Sequence, residues 1–156
     1  MQSTLRLILT LLLGFWLGAS VFFSFVSAPT LFQLAKTGAI TREQAGDIAV
    51  AMLNKYFISG LAILSLATIV SATLAFGASQ PRYTRPAIIL VIAVLISAFS
   101  TFVWTPQVHA VREQRRANPS AEMDRKFGIA HGVSSGMNLL VIIGTAWAFV
   151  IVARPE

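Results

Sequence analysis

Residues 129–152 read IAHGVSSGMNLLVIIGTAWAFVIV, with no charged side chain. A helix of this length rises about 36 Å, more than the ~30 Å hydrocarbon thickness of a bilayer. Three further runs share the pattern: about 5–32, 52–76 and 87–104, with charges such as Arg6 and Lys55 only near their ends. Across 156 residues, 56% are hydrophobic and 12% charged, and the mean hydropathy is +0.74. A water-soluble domain carries roughly twice that charge density, so that class is excluded. The fold class expected is all-α: an integral membrane four-helix bundle, residues 1–156 as one domain, with antiparallel neighbours.

The first run has a competing reading as a signal peptide, because Arg6 precedes it and Val26-Ser27-Ala28 resembles a cleavage site. The run exceeds the ~7 to 15 residues of such a segment, and Pro29 would follow the cut, so a retained helix is expected. The absence of cysteine removes disulfides, thiolate metal sites and cysteine nucleophiles.

The second and third runs are joined by GASQPRYTRP, where Gly77, Pro81 and Pro86 stop one helix and restart the next. The other two connections are longer and helical in part. Thr41-Arg42-Glu43-Gln44 has capping-box spacing and predicts a short interfacial helix from Arg42, with continuation into the second span as the alternative. Ser120, before Ala121-Glu122-Met123-Asp124, is a plausible N-cap with acids at the positive end of the dipole. VREQRRA continues the third helix, so helices extend beyond one membrane face.

That face holds Lys36, Arg42, Lys55, Arg112, Arg115, Arg116, Arg125 and Lys126; the opposite face holds Arg6, Arg82, Arg85 and Arg154. Counting cations puts the long connections in the cytoplasm and the termini outside, in a bacterial inner or other energy-transducing membrane. The net charge of +6 calls for anionic headgroups and no nucleic-acid partner.

Within lipid, helix pairing depends on small residues and interhelical hydrogen bonds. Gly14 and Gly18, and Gly128, Gly132 and Gly136, have GxxxG spacing. Packing within the bundle is the expected use, with a homo-oligomer seam as the alternative. On the fourth helix, His131, Ser135, Asn138 and Thr145 fall on one stripe at 100° per residue, and that stripe is expected to face protein. His109 follows Trp104-Thr105-Pro106, which places both histidines near one boundary. A polar pocket of His109, His131, Ser135 and Asn138 is the expected site. The histidines could instead ligate copper, zinc, haem iron or a chlorophyll magnesium, though no fuller ligand motif accompanies them. Bound lipid is expected.

Pro29 and Pro106 each remove a helix amide and predict kinks that shape this pocket beside Trp104. Asn54, Tyr56 and Gln107 read as part of an interfacial belt. No acid or base lies mid-membrane, which disfavours pumps and secondary transporters, and no GxSxG, HExxH or paired-carboxylate set supports hydrolysis. A non-enzymatic accessory or scaffold subunit of a larger membrane complex is the expected function; a metal or tetrapyrrole binder and a small-solute or metal exporter are the alternatives.

Three segments, GFWLGASVFFSFVSAPTLFQL, WTPQVHAVR and FGIAHGVSSGMNLL, resemble the transmembrane-protein-205-like family of small four-span proteins, and more loosely the copper-resistance D membrane proteins. SFVSAPTLF and AHGVSSGMN are the more specific parts. The resemblance implies four spans, a link to drug tolerance and vesicular export among eukaryotic relatives, and importance of Pro29, Pro106, His109, His131 and Asn138. The chain lacks the methionine and cysteine clusters of a soft-metal carrier.

Overall fold

A computed structural model describes residues 2–154. Four helices account for nearly all of them: α1 Gln2–Lys36, α2 Arg42–Gly77, α3 Pro81–Ala117 and α4 Ala121–Ala153. All four are long and apolar enough to cross a membrane, and no strand occurs among the described residues. At 33 to 37 residues, each rises about 50 Å, some 20 Å more than the hydrocarbon slab.

The excess is explained at the helix ends. Thr41 Oγ1 accepts from Gln44 N at 3.1 Å and Gln44 Oε1 from Thr41 N at 2.8 Å, the reciprocal pair of a capping box. No break follows, so the helix expected from Arg42 runs on into the second span as the opening of α2. Ser120 Oγ accepts from Met123 N at 3.2 Å and starts α4 likewise. VREQRRA does continue α3, to Ala117. The α2–α3 hairpin is tight: Ser79 turns through the left-handed region, φ 53°, before a 3₁₀ turn at Pro81–Tyr83.

The helices form a ring in which α1 and α3 each touch α2 and α4. Its interior is small and apolar: Leu9, Leu13 and Trp16 from α1, Leu64, Ala67 and Leu74 from α2, Leu90 and Ala93 from α3, and Val141, Ala148 and Val152 from α4. The outside is greasier than the inside. Phe15, Phe76, Leu95 and Trp147 are all more than 60% exposed, a surface suited to acyl chains and to no aqueous medium.

Three turns widen to π geometry: Phe23–Ser27, Thr73–Gly77 and Ser100–Trp104. Ala28 N–H reaches back to the Phe23 carbonyl, and Thr105 N–H to that of Ser100. Pro29 and Pro106 each follow one residue later, so a π turn stands immediately before each proline. Beyond its π turn, Ala28–Lys36 packs on α2, whereas Thr105–Ala117 packs on α4.

Past the apolar runs, ion pairs tie these extensions together. Arg112 meets Asp47 at 2.7 Å, Arg116 meets Asp47 at 2.8 Å and Glu43 at 3.1 Å, and Arg115 meets Asp124 at 2.6 Å. The Arg112 hydrogen bond, reinforced by Arg116 against some desolvation, holds the Asp47 carboxyl below its ordinary value. At the other face, Arg6 and Arg82 both donate to the Arg154 carbonyl, at 2.6 and 2.9 Å, and join the two ends of the chain to the hairpin.

Candidate functional site: a polar junction inside the bundle

Most threonines in the apolar runs satisfy themselves. Thr10, Thr68, Thr101 and Thr145 each donate to the carbonyl four residues earlier, at 2.7 to 2.9 Å. Such groups cost lipid little and say nothing of function. The informative polar groups are those that reach another helix.

Ser71 donates to the Tyr83 carbonyl at 3.3 Å beside the α2–α3 hairpin, and the others gather toward the opposite end of the bundle. Tyr56 Oη on α2 donates to Asn138 Oδ1 on α4 at 2.9 Å, and Asn138 Nδ2 donates to Ser24 Oγ on α1 at 3.2 Å. The Tyr56 ring lies between two α1 rings, 4.9 Å from Trp16 and 4.6 Å from Phe23, nearly parallel to both. Aromatic pairs of this kind contribute roughly 0.5–1.5 kcal/mol beyond area. Gly60, one turn along α2, is buried against the Trp16 ring, and a Cβ there would overlap it. The π turn of α1 aims Ser24, and that of α3 places Ser100 at the same cavity as Asn138 and aims Trp104, whose Nε1 donates to the Ala130 carbonyl at 3.1 Å. All the groups of the junction are neutral. The cavity among them, lined by Trp16, Tyr56, Gly60, Ser97, Ser100 and Asn138, is about 20 Å³, room for one water. No drug-sized ligand fits a space of that order, since ligand pockets run to hundreds of Å³.

Of the residues expected to form a pocket, the structure brings Asn138 alone into the junction. His131 lies two turns, about 10 Å, toward the boundary; it is exposed, with its ring stacked 5.9 Å from Phe127. Ser135 is also exposed, and His109 is half-buried on α3. The stripe on α4 therefore turns inward only from Asn138 to Thr145. The physical reason is that α1, beyond its π turn, follows α2 and leaves the first half of α4 uncovered on that side. Among the described residues, no three His, Asp or Glu side chains gather into a cluster.

The glycines divide. Gly14 approaches Phe149, with 3.4 Å to a would-be Cβ, whereas Gly18 has nothing within 4 Å. Gly128, Gly132 and Gly136 are exposed, with open space where side chains would stand, so within this chain they pack against nothing. The inward face of α4 is set instead by Ala130, Met137, Val141, Thr145, Ala148 and Val152, roughly half a turn away. Sequence reasoning did not single out Gly60, Trp16, Ser24 or Ser100, and read Tyr56 as belt. A signal existed on α2: Gly60, Leu64, Ala67 and Ser71 recur at helical spacing and are all buried.

Fold and junction together define a class, the small integral membrane four-helix bundle with an apolar core and one neutral polar junction. Residues 11–117 match the family described as Domain of unknown function (DUF4149), and the chain belongs to it. It is also 31% identical over 134 residues, 86% of each chain, to an uncharacterized protein of Aquifex aeolicus (strain VF5). No solved structure matches. The Asn138–Ser24 bond joins residues 24–32 to residues 130–138.

Proposed function

We propose that this protein is a non-enzymatic accessory subunit that seats a transmembrane helix of a larger membrane complex against the outer face of α4. The observation that carries the reading is the open ridge of Gly128, Gly132 and Gly136. Apolar area does not select a partner in lipid, whereas a glycine ridge lets a second backbone approach closely. Ser135 and His131, exposed beside the ridge, offer hydrogen bonds at its edge. The Tyr56–Asn138–Ser24 junction and the ion-paired extensions hold α4 in place so that the ridge stays presented. A cavity of about 20 Å³ supports a scaffold over a solute route. By cation count the extensions face the cytoplasm. The likeness to export and tolerance proteins suggests the setting of the complex, which the nature of the partner would reveal.

The test is purification from native membranes in mild detergent with mass spectrometry, comparing the unmodified chain with Gly132→Leu. A companion polypeptide in fixed ratio with the former and lost from the latter is expected. An unpartnered monomer, or the same companion in both, overturns the reading.

A further inference from the structure

We infer that the cavity at the junction binds one ordered water molecule, held by the Trp16 indole N–H, the Ser100 hydroxyl and Asn138. Two independent observations converge. Trp16 Nε1 and Ser100 Oγ are buried without a hydrogen-bond partner, two of the four such side-chain atoms among the described residues. Both residues, 4% exposed each, line the same cavity of about 20 Å³. A site of that size with two to four polar partners suits a single water, and orphaned buried donors are otherwise rare.

The donor and acceptor pattern closes. The indole can only donate, so it gives its proton to the water oxygen. The Ser100 hydroxyl donates to the second lone pair of the water, and the water donates to the Asn138 Oδ1 lone pair left over by Tyr56. The bonds to Asn138 link α1, α2 and α4, while α3 is joined to α4 about two turns away by the Trp104–Ala130 bond. The water brings α3 in through Ser100, so that each helix contributes to one network. Ser20 Oγ, also buried without a partner and near the Tyr56 hydroxyl, lies outside the cavity lining and is not among the ligands. The inference is independent of the accessory role.

The experiment uses the full chain with Trp104→Phe and Trp147→Phe, which leaves Trp16 as the sole indole, and reads its ultraviolet resonance Raman N–H marker, its emission and thermal unfolding. The expected marker is a hydrogen-bonded N–H that survives Ser100→Ala, because the water keeps its other partners. Ser100→Val, which fills the site, should free the N–H, move emission to the blue and lower the midpoint by a few degrees. A free N–H in the parent chain overturns the inference. So does loss of the marker in Ser100→Ala, which would make the serine itself the acceptor. A dry cavity predicts the opposite sign for Ser100→Val, since filling a void and removing an orphaned hydroxyl raises the midpoint and leaves emission unchanged. Should the valine variant fail to fold, the parent and alanine spectra still decide.

Discussion

Gly60 and the Gly128/Gly132/Gly136 ridge are chemically identical positions in opposite surroundings. The lone glycine on α2 is buried flat against Trp16, and the three in register on α4 look outward. A motif thus marks where a helix can be approached, but not what approaches it. Of the glycines, the one most closely approached has no motif around it, and the three in register have open space where side chains would stand.

The comparison breaks most readily at Gly60. Gly60→Leu would drive a branched side chain into the Trp16 ring, and an overpacked site of this kind costs about 3 kcal/mol or more; thermal unfolding in detergent should show loss of the folded bundle. Asn138→Leu is next. It removes both interhelical hydrogen bonds and leaves Tyr56 and Ser24 unanswered, a loss of about 1–2 kcal/mol in the same assay. Gly132→Leu should change the unfolding midpoint of the isolated chain negligibly, within about 0.5 kcal/mol as for other surface sites, while abolishing association in the membrane. If Gly132→Leu destabilised the isolated chain as much as Gly60→Leu, the two glycine classes would not be distinct.

The smallest effect sharpens the picture at the exposed clamp. Because the Asp47 carboxyl is held below its ordinary value, its pairing with Arg112 and Arg116 contributes at all pH above the free carboxylate range and fades as pH falls below about 4, through the lowered value. Asp47→Asn should remove that acid limb from a stability profile and change little at neutral pH, since exposed ion pairs are individually weak.

The number of helices, the hairpin, both N-caps and the extensions beyond one face were legible because each rests on local chemistry: run length, Thr41 and Ser120 with their partners three residues on, and the polar continuation of α3. What faces inward was not. In a water-soluble helix the apolar side identifies the core, but here Phe15 points out and Ser20 points in, so hydropathy carries no direction. His131 and Ser135 share a stripe with Asn138 in sequence and part from it in space, because α1 leaves α4 above Ser24. That departure begins at a π turn, which the proline alone foretold only as a kink.

The chain contains no cysteine, so a single one can be placed at will. Cysteine at Gly132 and, as a control on a different lipid-facing surface, at Leu95, 63% exposed, should be cross-linked in native membranes and the adducts weighed. The account predicts an adduct from the Gly132 position to a different polypeptide, with none from Leu95. Equal adducts from both positions, none from Gly132, or a product of twice the 16.8 kDa chain would contradict it.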